Sequence, residues 1–283
     1  MIESRRNQTL KDIRRLRRCK GDEALLEGPH LVGEALAAGL PLGPVLATAA
    51  FLATAEGRAI AAALPAPPLL VEPGLLAAAA DADSPRGLLA VARLPRGGVE
   101  ALPVHDGGVY LFVEGLQDPG NLGALARVAE AAGAAGLALA AGTAHANHPR
   151  ALRASAGSLL RLPVAMAADP AELDRRLGAG GTSPPPLWVA LVPRGGTDLF
   201  ALGGLDRGVL DATLVLVIGA EGPGVSAPLR ARATLAVTIP LAPPVESLNA
   251  TVAAALALFE IRRVRRSGGP KLGPERRQQA DRR

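Results

Sequence analysis

The chain has 283 residues, 49% of them hydrophobic and only 2% aromatic, with a formal charge of +5. So much aliphatic mass suits two modest cores better than one, while so few aromatics leave little to stack on bases, so a nucleic acid would be held by charge and shape. A single cysteine, Cys19, excludes an internal disulfide framework and a multi-cysteine zinc site, and the charged N-terminus with no apolar run of about 18 residues points to a reduced, cytoplasmic setting without a membrane span.

The charge sits at the two ends. Residues 1 to 20 carry eight Lys or Arg against two acids, a local balance of +6; residues 262 to 283 carry nine against two, a balance of +7, which leaves −8 for the middle. Concentrated basic ends suit a polyanionic partner, because phosphate contacts supply most non-specific affinity for nucleic acids. Solvated tails are the plainer reading of the same runs.

From Gln8 to Cys19, Leu10, Ile13 and Leu16 recur at helical spacing among Arg14, Arg15, Arg17, Arg18 and Lys20, which predicts a basic amphipathic helix stopped at Gly21. Ala24 to Glu27 leads into a helix with Pro29 near its start and Gly39 at its end. Strand-like runs at Val45–Thr48, Leu69–Val71 and Leu88–Ala92 alternate with helical pieces at Ala55–Leu64 and Pro73–Ala80. Such alternation predicts an α/β unit over residues 1–95. Residues 96–108, rich in Pro and Gly, read as an interdomain linker.

A second series occupies residues 109–266 and is followed by a basic tail, 267–283. Strands are expected at Val109–Glu114, Gly136–Ala140, Leu187–Val192, Leu214–Ile218 and Leu235–Ile239. Helices are expected at Leu122–Ala132, Arg150–Ala156 and Ala171–Leu177, with a short one from Ser226 and a long one over Leu248–Arg265; Gly178–Pro186 reads as a loop. Continuous apolar strands separated by helices imply a parallel sheet covered on both faces.

Three polar segments follow strands of this second series. In Asp118-Pro119-Gly120-Asn121-Leu122-Gly123, Asn121 is suited to cap the following helix, and Arg127 projects about 240° away from it on a regular helix. Alone this would be an ordinary cap and a solvated arginine. In Ile218-Gly219-Ala220-Glu221-Gly222-Pro223-Gly224, glycines after an apolar strand let backbone approach a ligand. Their G-x-x-G-x-G spacing is not the dinucleotide fingerprint, so a nicotinamide-dependent oxidoreductase is disfavoured. In Pro243-Pro244-Val245-Glu246-Ser247-Leu248-Asn249, short polar groups open a helix, a place where a phosphate or ribose can be held. His145 and His148 are the only closely spaced histidines and lack further ligands nearby, so no metal is expected.

Taken in this order, the three segments resemble the signature motifs of the SpoU (TrmH-like) family of RNA ribose 2'-O-methyltransferases, a branch of the SPOUT class. Leu152-Arg153-Ala154-Ser155-Ala156-Gly157-Ser158 looks like the family's Ser-Ala-Gly segment. The basic helix and Glu27-Gly28-Pro29-His30-Leu31-Val32 resemble the family's ribosomal-protein-like RNA-binding domain, with His30 where many members have a basic residue. The resemblance implies a smaller N-terminal α/β domain of that kind and a C-terminal α/β SPOUT domain with a parallel sheet and a deep trefoil knot. It also implies pairing as a homodimer with the site at the interface. It implies S-adenosylmethionine as cofactor, its adenosine enclosed by Gly219, Ile239, Leu241 and Leu248. Catalytic or supporting roles fall to Arg127, Asn121, Glu221, Ser247 and Asn249. RNA is the implied partner, rRNA ahead of tRNA, with Arg14, Arg15, Arg17, Arg18 and Lys20 as its contacts. The face of Leu248, Val252, Leu256 and Phe259 is expected to supply knot packing and part of the dimer contact. An RNA-binding factor that has lost catalysis is the competing reading; the presence of all five polar site residues argues against it.

Overall fold

A computed structural model describes residues 1–18, 21–83, 85–178 and 185–267. Cys19, Lys20, most of the Gly178–Pro186 loop and the tail beyond Ser267 lie outside the described residues.

The first unit runs α1 (Gln8–Leu16), β1 (Glu23–Glu27), α2 (Gly28–Ala37), β2 (Leu42–Ala47), α3 (Ala49–Leu52), α4 (Ala55–Ala63), β3 (Leu69–Leu70), α5 (Pro73–Ala79) and β4 (Leu88–Arg93). Its sheet has the order β1-β4-β2-β3, with β4 antiparallel to both neighbours and β2 parallel to β3. Asn7 caps α1, and the expected apolar stripe is interior: Leu10, Ile13 and Leu16 pack with Leu75, Leu76 and Leu89. Each such burial contributes roughly 1.5–3 kcal/mol, which pins α1 to the sheet although its other face is basic.

The second unit runs β5 (Val109–Val113), α6 (Pro119–Ala132), β6 (Gly136–Leu139), α7 (Pro149–Ser155), α8 (Ser158–Arg161), β7 (Val164–Ala165), α9 (Pro170–Gly178), β8 (Leu187–Leu191), β9 (Thr197–Asp198), α10 (Arg207–Asp211), β10 (Leu214–Ile218), α11 (Ala227–Arg232), β11 (Leu235–Thr238) and α12 (Ala250–Ser267). Seven strands pair in parallel in the order β7-β6-β5-β10-β8-β11-β9. Residues of β5, β6 and β10 are almost wholly buried, as expected of central strands covered on both faces. The short elements β7, α8, β9 and α10 have no counterpart in the sequence reading, being too brief to show a period.

The stretch between the sheets is tied down rather than loose. Arg96 donates to Asn147 Oδ1 at 2.8 Å and to the Leu159 carbonyl at 2.7 Å; buried Asn147 donates to the Leu94 carbonyl at 2.9 Å. Arg176 donates twice to the Leu102 carbonyl, and the Tyr110 hydroxyl donates to the Pro103 carbonyl at 2.6 Å. The two units also share one apolar core, in which Leu26, Leu31 and Val32 meet Leu152, Leu159 and Leu160. Buried Glu27 accepts from Arg153, and Arg161 joins Glu34 of α2 to Glu130 of α6. The Leu152–Ser158 segment therefore faces the first unit, turning at Ala156 and Gly157, both left-handed.

The long C-terminal helix corrects one expectation. Val252, Leu256 and Phe259 are 48%, 38% and 48% exposed, so they do not pack inside this chain. Ala254, Leu258, Ile261 and Val264 do, because they lie on the opposite side of the same helix, against α6. No helix among the described residues is long and apolar enough to cross a membrane.

Candidate active site

The sheet order brings the three polar segments together. β5 and β10 are neighbours, so the loops at their carboxyl ends are adjacent, and β8 lies between β10 and β11. Crevices at the carboxyl ends of parallel strands, where strand order reverses, are the usual ligand sites of such sheets.

At the end of β5, Asp118 rather than Asn121 caps α6: its Oδ1 accepts from the Gly120 amide at 2.6 Å. Pro119 takes the first helical position, where a missing N–H costs nothing. Asn121 thus stands inside the first turn with its side chain free to reach outward. Its Nδ2 donates to Glu221 of the β10 loop, and its Oδ1 accepts from Asn249 Nδ2 at 3.3 Å.

Asn249 caps α12, its Oδ1 accepting from the amides of Thr251 at 2.9 Å and Val252 at 3.4 Å. The Thr251 hydroxyl donates to the Asn121 carbonyl at 3.1 Å, fastening the two helix starts to each other. One amide network therefore links all three motifs.

The glycine-rich loop is folded tightly on itself. Ala220 and Gly224 exchange backbone hydrogen bonds at 3.1 and 2.9 Å, and Gly222 and Gly224 have φ of +90° and +73°. A Cβ on Gly219 would lie 2.1 Å from the Gly224 carbonyl carbon, so only glycine allows that approach. Glu114 steadies the loop by accepting from the Ser226 amide at 3.1 Å.

Beneath this network is a cavity of about 450 Å³ that Gly219, Ile239, Leu241, Leu248, Ser247, Asn249 and Glu221 line. Ile218, Val225 and Val237 add aliphatic wall, while Glu221, Arg230 and Glu246 bring charge. Aliphatic walls with close-approaching backbone suit a planar heterocycle, and a few charged groups suit a polar tail.

Sequence reasoning did not include Leu191, Val192 and Pro193, which also line the cavity. Their signal is the Pro-Arg-Gly-Gly turn that ends an apolar strand, but its relevance depends on β8 lying between β10 and β11. Arg127 is exposed on α6 and does not line the cavity; its side chain makes no hydrogen bond or ion pair among the described residues. Arg14 and Arg15 lie on α1, Arg15 paired with Asp12, while Arg17 and Arg18 follow it, Arg17 at 3.9 Å from Asp81. His148 caps α7, accepting from the Arg150 amide, and burial holds the imidazoles of His145 and His148 below their usual pKa. Among the described residues no cluster of three metal-ligating side chains occurs.

Comparison with known proteins places this geometry. Residues 108–259 match the model of the SpoU rRNA Methylase family. An uncharacterized tRNA/rRNA methyltransferase of Synechocystis is 34% identical over 267 residues, 93% of each chain. The 23S rRNA (guanosine(2553)-2'-O)-methyltransferase of Bacillus subtilis is 29% identical over 92% of this chain and 98% of its own. Among solved structures, the SpoU methyltransferase AviRb from Streptomyces viridochromogenes with AdoMet superposes with a TM-score of 0.83 at 27% identity, covering 93% of this chain and 100% of that one. An RNA 2'-O ribose methyltransferase gives 0.75 at 30% identity, covering 93% and 98%. The seven-stranded parallel sheet and its helices reproduce the architecture of the knotted SpoU enzymes.

Proposed function

Since this chain belongs to the SpoU rRNA methylase family, we propose that it is an S-adenosylmethionine-dependent methyltransferase acting on a ribose 2'-hydroxyl of structured RNA, with rRNA favoured over tRNA. The observation that carries this reading is the Asn121–Asn249–Glu221 network set over the cavity lined by Gly219, Ile239, Leu241 and Leu248. S-adenosylmethionine, when bound, supplies an electrophilic methyl group, so no metal is needed to activate it.

The chain's own residues have three tasks. Aliphatic walls at Ile239, Leu241 and Leu248 take the adenine and exclude water from it. Asn121, oriented by Glu221 and Asn249, and Ser247 at the cavity edge fix the ribose. As the 2'-oxygen bonds to the methyl carbon and the carbon–sulfur bond breaks, the hydroxyl proton passes to an RNA phosphate or to water, and Arg127 stabilises the negative charge that develops on that oxygen. A guanidinium, with a pKa above about 12, is a poor base, and a fixed cation acts well on developing negative charge.

The working unit is a homodimer. What supports this is that Arg127 lies outside the cavity of its own chain while Val252, Leu256 and Phe259 form an uncovered apolar stripe on the helix that Asn249 caps. Residues 1–95 form the RNA-binding domain, with Arg14, Arg15, Arg17, Arg18 and Lys20 contacting phosphate, and the enzyme works in the cytoplasm. In the test, purified protein and tritiated S-adenosylmethionine are incubated with ribosomal RNA or tRNA, and the product is mapped by resistance to alkaline hydrolysis. One protected linkage in rRNA is the expected result; label on a base, or none in any RNA, refutes the assignment.

A further inference from the structure

The arginines of α7 and α8 divide by their partners. Arg153, 29% exposed, donates to Glu27 and, at 2.8 Å, to Asp81, both in the first unit, while Arg161 joins Glu34 to Glu130. Each of these two answers a pair of carboxylates and holds the units together. Arg150 is different: it is 58% exposed and has one carboxylate partner among the described residues, Asp118, at 3.3 Å. A guanidinium has five donors, and a solvated pair of that length adds little, so most of the fork is left for another acceptor.

Its place in the fold gives that acceptor a role. Pro149 and the His148 cap, which accepts from the Arg150 amide at 3.1 Å, fix the start of α7. A Cβ built on Gly120 would lie 3.4 Å from Arg150 Nε, so the guanidinium lies over the first turn of α6 on the side that Gly120 faces. Arg127 follows Gly120 by two turns of a regular helix and therefore leaves α6 on that same side, about 10 Å further along its axis. Between them Gly123 lets α7 pack closely, since a Cβ there would lie 2.2 Å from the Ala151 carbonyl oxygen. The spacing of these two exposed arginines is thus set by a tight helix pair. At the other end of α7, the Asp81 that pairs with Arg153 lies 3.9 Å from Arg17, at the close of the basic helix α1.

We propose that Arg150 binds a backbone phosphate of the substrate RNA next to the nucleotide whose ribose meets Arg127, so that α7 carries the strand from the first unit to the reacting 2'-hydroxyl. This rests on the RNA methyltransferase reading above. Non-bridging phosphate oxygens accept two parallel hydrogen bonds from an arginine fork. The exchange gives up only the long contact to Asp118, whose Oδ1 keeps its bond to the Gly120 amide and so leaves the cap of α6 in place.

The test is filter binding, across a range of salt concentrations, of an rRNA transcript that the unsubstituted chain methylates. Arg150→Gln is expected to weaken binding about three- to tenfold, between the effect of an exposed ion pair and that of a hydrogen-bonded charge. It should also lower the slope of log Kd against log salt by about 0.7–0.9, the signature of one phosphate contact. Arg150→Lys keeps the slope and recovers part of the affinity, and S-adenosylhomocysteine affinity, read by calorimetry, stays within about twofold in both variants. An unchanged slope overturns the proposal, and with a lowered Tm it makes Arg150 a strut for Asp118. Parallel loss of S-adenosylhomocysteine affinity overturns it too, since that marks a disturbed α6. Absence of methyl transfer to any RNA by the unsubstituted chain is a separate result, which overturns the methyltransferase reading and this inference with it.

Discussion

Asn121 and Glu221, a hundred residues apart in sequence, are joined side chain to side chain, the amide of the first donating to the carboxylate of the second. That bond decides which way the Asn121 amide points: with its nitrogen committed to Glu221, its oxygen faces Asn249. Asn121 lies outside the cavity wall whereas Glu221 is part of it. Asn121→Ala is therefore expected to lower kcat at least about tenfold, the scale of one lost transition-state hydrogen bond, while S-adenosylhomocysteine affinity changes by less than about threefold. An equal loss of affinity, measured by calorimetry, would place Asn121 in cofactor binding instead.

Arg127→Ala separates chemistry from binding more sharply. Arg127 is exposed and outside the cavity, so the variant is expected to bind cofactor normally and to lose turnover by about a hundredfold or more, the usual cost of removing a group that stabilises developing charge. Single-turnover methylation and calorimetry on the same preparation read both quantities. Loss of cofactor affinity would contradict this role.

Gly219→Ala probes the cradle. The added methyl would lie 2.1 Å from the Gly224 carbonyl carbon and 2.2 Å from the Val225 nitrogen, both backbone atoms, so the loop must move. Overpacking of this kind costs about 1–3 kcal/mol. The expected result is a lower Tm and cofactor affinity too weak to measure; unchanged affinity would show that the loop shifts without consequence for the cavity.

The exposed stripe on α12 is a test of assembly. Leu256→Asp places a charge at the middle of Val252, Leu256 and Phe259 without touching the buried face of that helix. Sedimentation of the unsubstituted chain is expected to show a dimer and that of the variant a monomer with an unchanged circular-dichroism spectrum. A monomeric unsubstituted chain would remove the dimer from the proposal.

The clasp at Arg161 predicts a pH dependence. Hydrogen bonding from Arg161 holds the Glu130 carboxyl below its ordinary pKa. A carboxylate depressed in the folded state adds stability that is complete above its unfolded pKa, about 4.3, and is lost as pH falls through the lower folded value. The gap in stability between the unsubstituted chain and Glu130→Gln should thus be present at pH 7 and close below pH ~4. The pair is partly solvated, so the gap is less than about 1 kcal/mol. Thermal melts across pH check it, and a gap that widens in acid would reverse the sign and refute the linkage.

Much of this molecule is legible from local pattern. The apolar spacing of Leu10, Ile13 and Leu16 identified α1, and the runs at Val109 and Leu214 identified β5 and β10 because strands covered on both faces need no polar alternation. Capping was less secure. Asn121 and Asp118 are both good caps, and the choice fell to Asp118 because Pro119 fits the first helical position; this freed Asn121 for the site.

The sequence by itself determined the types and order of the longer helices and most of the longer strands, and which polar residues end up at strand carboxyl ends, since both follow from side-chain periodicity and short-range hydrogen bonding; elements as brief as β7, α8, β9 and α10 leave no such pattern. Only the tertiary structure decided which of those ends are neighbours. The insertion of β10 between β5 and β8 brought Asn121 to Glu221, and the position of β8 between β10 and β11 added Val192 and Pro193 to the cavity. The fold likewise turned Val252, Leu256 and Phe259 outward and kept Arg127 out of its own chain's cavity. Strand order and helix-face choice arise from pairing and packing between residues far apart in the chain, for which no local periodicity is a record.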